Sequence, residues 1–150
     1  MSSEKSIKLI LAQNKKAYHD YYIEEKLECG IALTGNEVKS AKAAKVSIKE
    51  SWVSIKNGEL WLKNSYIAKW DTANKFDVDE RRDRKLLAHK KEISKFSDKI
   101  KLEGMTLVPL SLYVYQGKCK IEIALAKGKH TYDKRAALKE KDIKRALKQV

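Results

Sequence analysis

A single proline, Pro109, and six glycines are the only strong chain breakers in 150 residues. So little of either excludes collagen-like repeats, Pro-rich linkers and low-complexity disorder over most of the length. Cysteine is equally scarce. Cys29 and Cys119 sit inside strand-like patterns as small apolar residues would, without a CxxC neighbour, and read as reduced thiols in a reducing cytoplasm rather than as a disulfide framework. No run of about 18 apolar residues is present, so no segment reads as a membrane span and no membrane partner is expected. The apolar patch Ile7 to Ala12 is too short and poorly flanked for a secretion signal. Acidic residues are also in short supply. Asp and Glu number 20 against 33 Lys and Arg, a formal net charge of +13, which repels itself in the free protein and attracts a polyanion.

The clusters that enzymes need are missing too. His19, His89 and His130 lie far apart in sequence, and no pair has metal-ligand spacing. There is no phosphate-cradling Gly-rich loop and no GxSxG. The chain therefore reads as a binding protein with no catalytic residue, no metal and no cofactor.

What is present is the making of one core, with 43% apolar residues. From Tyr21 to Leu33 the odd positions Ile23, Leu27, Cys29, Ile31 and Leu33 are apolar with Glu24, Lys26 and Glu28 between them, which is strand periodicity. Thr34-Gly35-Asn36-Glu37 matches a capping box and predicts a short helix to about Ala44. Val46 and Ile48 open a further strand. "SWVSIKNGELWLK" predicts a hairpin about Asn57-Gly58, pairing Lys56 with Glu59, Ile55 with Leu60 and Val53 with Leu62. A second hairpin about Gln116-Gly117 pairs Val114 with Cys119, Leu112 with Ile121, Leu110 with Ile123 and Val108 with Leu125, and turns the pairs Tyr115–Lys118 and Tyr113–Lys120 outward. Between the hairpins Leu86, Ile93, Phe96 and Ile100 recur at helical spacing, with Gly104 as the stop. The stretch from Trp70 to Asp79 has no clear period and reads as a loop. The expected architecture is mainly β with α, a small closed or nearly closed barrel with helices outside.

Three features point to RNA. Aromatic and basic residues alternate on outward positions of both hairpins: Tyr113, Tyr115, Lys118 and Lys120 on one, Trp52, Trp61 and Lys63 on the other. Such rings can stack on bases while ammonium groups neutralise phosphates. The tryptophans are expected to lie beneath external helices, and the Tyr–Lys pairs stay open between covered and base-stacking. The run Arg81 to Lys85, continued by Lys90 and Lys91, suits phosphate geometry. Finally, the last 24 residues carry nine Lys and Arg against three acids, a surplus of +6. Ile143, Ala146, Leu147 and Val150 form a narrow helical stripe there, and a helix so short is marginal alone in water. The expected division is an RNA-binding barrel over residues 1–127 and a basic tail over 128–150, disordered when free and helical when held by something anionic.

Several blocks, "NKKAYHDYYIEEKLECGIALTGNEVKS", "RKLLAHKKEI", "TLVPLSLY", "KIEIALAKGK" and "DKR", occur in the order seen in a known family. From about Asn14 into the tail the chain resembles the SsrA-binding (SmpB) family, partners of transfer-messenger RNA in bacterial ribosome rescue. The resemblance implies an oligonucleotide-binding-type barrel with flanking helices. It also implies binding to the tRNA-like domain of transfer-messenger RNA, and delivery of that RNA with elongation factor Tu and GTP to stalled ribosomes. There the tail would probe the empty mRNA channel beside the decoding centre of the small subunit. Asn14, Glu28 and Leu87 match family positions implicated in RNA binding, and Lys15, Lys16, His19, Arg84 and Lys85 lie in the same blocks. Gly128, Lys129, Asp133, Lys134 and Arg135 match the family's tail motif. Departures are modest: Ala44 stands for a usual Gly, Ala88 for a usual Leu and His130 for a usual Lys. Without the resemblance two other readings stand, a general ribosomal-RNA-binding barrel protein and an RNA-modifying enzyme.

Overall fold

A computed structural model describes residues 8–70 and 79–129. The elements run β1 (Leu9–Gln13), α1 (Lys15–Asp20), β2 (Tyr21–Ile31), α2 (Gly35–Lys42), β3 (Val46–Ser47), β4 (Trp52–Lys56), β5 (Glu59–Lys63), β6 (Tyr66–Ile67), β7 (Arg84–Leu87), α3 (Lys90–Glu103), β8 (Thr106–Tyr115) and β9 (Lys118–Gly128). Seven strands form one antiparallel sheet in the order β1-β8-β9-β2-β7-β5-β4, and β3 pairs separately with β6. The sheet curls until β4 lies alongside β8, but no ladder joins them, so the barrel is nearly closed and keeps two edges.

Turn chemistry fixes the hairpins. Asn57 and Gly58 have φ of 54° and 74°, and Gln116 and Gly117 have 51° and 76°, the double positive φ that a two-residue turn matched to strand twist requires. The first hairpin has the expected register, Lys56 against Glu59, Ile55 against Leu60 and Val53 against Leu62. The second holds it from Tyr115–Lys118 through Leu112–Ile121. Beyond that point the pairing differs from the sequence-based register. A bulge between Pro109 and Ser111 places Pro109 against Ile123, Val108 against Ala124 and Leu107 against Leu125. Proline cannot donate to a ladder, and a bulge is where a strand interior accommodates it. One extra residue also moves Leu107 to the main core, while Val108 and Leu110 turn to the other face.

Two layers of core follow. Leu60, Leu62, Leu86, Leu112, Ile121, Ile123 and Leu125 fill the inner face, and α3 lays Ile93 and Phe96 on it. On the outer face Ala17 of α1 meets Val108, Leu110, Ala124 and Ala126, and the small alanines let the helix sit close to the sheet. The capping box at Thr34 and Glu37 is formed, with Thr34 N–H donating to Glu37 Oε1 at 2.9 Å and Glu37 N–H to Thr34 Oγ1 at 3.2 Å. Gly104 ends α3 in the left-handed region at φ 65°.

Leu86 corrects the helix expected between the hairpins. It belongs to β7, where it pairs with Leu60 and Ile31, and the helix begins only at Lys90. Strand β1 and helix α1 were not legible as elements. β9 includes Gly128, which pairs with Tyr21, so the sheet extends one residue past the expected domain boundary. Of the loop expected from Trp70 to Asp79, residues 71–78 fall outside the described residues, as does the tail beyond Lys129.

Candidate nucleic-acid interface

Register brings Glu28 and Leu87, two of the candidate residues, onto one outer face of the sheet. Tyr113 pairs with Lys120, Lys120 with Gly30 and Gly30 with Leu87, a continuous row across β8, β9, β2 and β7. In the adjoining row Gln13 pairs with Ser111, Ser111 with Glu122 and Glu122 with Glu28. Glu28 and Leu87 are thus diagonal neighbours, and Asn14 follows directly on the second row. Leu87 is 54% exposed and presents an apolar surface. Gly30 makes room for it, because a Cβ there would stand 3.3 Å from Leu87 Cβ.

Glu28 holds a cluster. The Tyr113 hydroxyl donates to Oε2, Lys120 Nζ donates to Oε1 at 3.1 Å, and Lys8 Nζ lies 3.8 Å from Oε2. The Tyr113 hydrogen bond, with Lys120 and Lys8 behind it and only partly opposed by burial, holds the Glu28 carboxyl below the usual carboxylate range. Burial and the neighbouring carboxylate push the Tyr113 phenol far upward, so it remains a donor. The Tyr113–Lys120 pair therefore does not offer a ring for stacking, since Tyr113 is 1% exposed. Lys8 was not singled out in the sequence because β1, which it precedes, has no clear period.

Asn14 is a tether. Its Nδ2 donates to Pro109 O at 3.0 Å and its N–H to Leu110 O at 2.8 Å, fastening α1 to the bulge of β8. Its Oδ1 is buried with no protein partner. A cleft of about 330 Å³ beside it is lined by Lys8, Lys15, Tyr18, Ser111, Tyr113 and Glu122, among others. Lys15, Lys16 and His19 are exposed along α1, with Lys16 4.0 Å and His19 Nδ1 2.9 Å from Asp20.

Arg84 departs from its expected surface role. It is wholly buried, and its guanidinium is occupied by Glu37, Ser65, Glu80 O and Arg82 O, so it holds the fold and presents nothing to RNA. Lys85 is half-buried and bonded to Glu59. The run Arg81 to Lys85 enters strand β7 at Arg84. Trp52 also departs from expectation: it is 50% exposed on β4 and not covered by a helix.

At the far end of β9, Lys129 Nζ donates to Tyr18 O at 3.1 Å and lies 5.2 Å from the Tyr22 ring centroid, beside Gly128. The other candidate tail residues, Asp133, Lys134 and Arg135, lie outside the described residues. Among the described residues no group of His, Cys, Asp and Glu could hold a metal, and no helix is long and apolar enough to cross a membrane. Buried Cys29 has its thiol pushed up to about 12 by burial, which makes it inert.

The chain is similar to known proteins over most of its length. An SsrA-binding protein of Sulfurihydrogenibium sp. (strain YO3AOP1) is 56% identical over 138 residues, covering 92% of this chain and 91% of its own length. One from Fusobacterium nucleatum subsp. nucleatum is 51% identical over 140 residues, covering 93% and 95%. A chain in the solved structure described as "tmRNA-SmpB: a journey to the center of the bacterial ribosome" superposes with a TM-score of 0.64 at 46% identity, covering 78% of this chain and 82% of its own. The family model described as SmpB protein matches residues 11–150. The chain belongs to the SmpB protein family.

Proposed function

We propose that this protein binds the tRNA-like domain of transfer-messenger RNA through the outer face of β2, β7 and β9 and delivers it to stalled ribosomes for trans-translation. The observation that carries this reading is the row that sets exposed Leu87 beside Lys120 and the Glu28 cluster, within a chain that belongs to the SmpB family. Leu87 gives a base or ribose an apolar surface, the ammonium groups meet phosphates, and Asn14 and Lys15 extend the contact along the cleft. RNA is recognised in this way by shape, backbone and sugar contacts more than by base sequence. Elongation factor Tu with GTP joins through the RNA. Gly128, Lys129, Asp133, Lys134 and Arg135 act at the decoding centre and the mRNA channel of the small subunit, where a basic segment suits walls of RNA phosphate. The protein positions RNA and performs no covalent step, and its place of action is the cytoplasm.

Competition binding tests the reading. Labelled tRNA-like RNA, with its acceptor arm and D-loop, is challenged with equal lengths of ribosomal RNA fragments and plain duplex. A preference of at least about a hundredfold for the tRNA-like RNA, about 2.7 kcal/mol, is expected. Equal competition by ribosomal fragments would identify a general ribosomal-RNA-binding barrel protein instead.

A further inference from the structure

The Glu28 carboxylate is already committed within the protein. Of its roughly four acceptor positions, one takes the Tyr113 hydroxyl and one takes Lys120 at 3.1 Å, while Lys8 stands at 3.8 Å. Tyr113 is 1% exposed and uncharged, so it cannot itself meet a ligand. Its ring carries Lys8 Nζ at 4.7 Å from the centroid, and Lys120 Nζ lies 5.7 Å from the Tyr115 ring. Tyr113 of β8, Lys120 of β9 and Lys8, just before β1, thus converge on the one carboxylate of β2.

We propose that Tyr113 is a positioning residue which, through Glu28, holds Lys8 and Lys120 as a two-ammonium seat for an RNA backbone phosphate. This rests on the RNA-binding reading above and names the atoms that would carry it. An ammonium group has three donors, so each lysine keeps donors for a ligand after binding Glu28. A free lysine side chain loses rotamer entropy when it is ordered. Here the carboxylate and the Tyr113 ring have already ordered much of them. Side-chain exposures of 45% for Lys8 and 29% for Lys120 leave both reachable. The immediate trio carries +1, and Lys15 in the adjoining cleft balances Glu122, so the seat favours an anion. Lys120 is also two strands from Leu87 in the same row, which puts the phosphate seat next to the apolar contact.

The test uses the full chain and a transcript of the tRNA-like domain, with affinity measured over a range of salt. Tyr113→Phe keeps net charge and shape. It is expected to weaken binding about five- to tenfold and to reduce the log–log salt slope by about 0.9, the value for one lost duplex phosphate contact. Lys8→Met and Lys120→Met should each lose a similar factor and slope. Tyr113→Phe combined with Lys8→Met should lose no more than either alone, because both remove the same contact. Thermal unfolding of each variant separates these effects from loss of fold, which leaves the slope of the folded fraction unchanged. A Tyr113→Phe protein that folds as the parent does and keeps the parent's affinity and slope overturns the positioning role. Should it fold poorly, Glu28→Gln, which removes the same hold on the lysines, takes its place beside the two lysine variants. If Lys8→Met and Lys120→Met bind as the parent does, with the parent's slope, while Glu28→Ala loses affinity, the carboxylate meets RNA directly and the seat is overturned. An unmodified protein with no preference for the tRNA-like RNA would defeat the proposed function instead, and the same slopes on plain duplex would still judge the seat.

Discussion

Arg84 shows what charge alone conceals. Its Nη2 donates to Glu37 Oε2 at 2.7 Å and Nη1 to Ser65 O at 3.0 Å, while Arg82 Nε reaches the same carboxylate at 3.0 Å. Glu37 thereby locks α2 and its own capping box to the entry of β7. Burial works against the Glu37 charge, but Arg82, the Thr34 amide and Arg84 outweigh it, and the carboxyl is held below its ordinary range. A carboxyl lowered in the fold contributes stability above the ordinary carboxylate range and loses it as pH falls through the folded value. Glu37→Gln should therefore flatten the acid limb of the stability curve, measured by urea unfolding between neutral and acid pH. At neutral pH it should cost on the order of 3–5 kcal/mol, because Arg84 stays buried without its countercharge. An acid limb as steep as the parent's would assign it to other carboxyls, such as Glu25 between Lys95 and Lys99. A run of Arg and Lys reads as solvent-facing from sequence, and its partner here lies 47 positions away, so nothing local marked Arg84 as interior. Leu87 and Glu28 were legible as candidates only through motif resemblance; their adjacency came from strand register.

The two hairpins were legible down to their pairing near the turn, because a two-residue turn fixes both φ signs and the register of the residues next to it. The bulge of β8 was not. Leu107 and Val108 are both apolar, so alternation continues plausibly through either of them toward the core. β7 failed for a different reason: four residues are too few to display a period of two, and Leu86 falls seven positions before Ile93, which imitates a helix face. The turns carry a prediction of their own. Gln116 occupies the left-handed region at φ 51°, where Asn57 stands in the other hairpin at φ 54°. Asn tolerates that region better than an ordinary side chain. Gln116→Asn should raise unfolding stability by about 0.5 kcal/mol, and Asn57→Gln should lower it by a similar amount, both read from denaturant midpoints with unchanged slopes. Equal stability of all three proteins would mean the turns bear no such strain.

Across the whole molecule, charge and fold are unevenly divided. Residues up to Lys129 contain the sheet, both cores and the proposed RNA face, while the 21 residues beyond carry seven Lys and Arg against three acids, a surplus of +4. Truncation after Lys129 keeps the Gly128–Tyr21 pairing and the Lys129–Tyr18 bond. Such a protein should unfold cooperatively near the parent's midpoint and bind tRNA-like RNA about tenfold more weakly, about 1.4 kcal/mol, from lost diffuse attraction. Peptide tagging in a purified translation system should nonetheless stop, and full tagging by the truncated protein would remove the channel role from the tail. The route between the two regions is β9, paired on both sides for most of its length. From Lys120 to Gly128 it advances eight residues, roughly 27 Å at about 3.4 Å each. The strand therefore works as a measuring rod: the offset between the proposed RNA face and Gly128 is counted in residues and held by two ladders. Two residues inserted into it would lengthen the rod by about 7 Å and keep its facing. One residue would turn the tail's first step to the opposite side of the sheet.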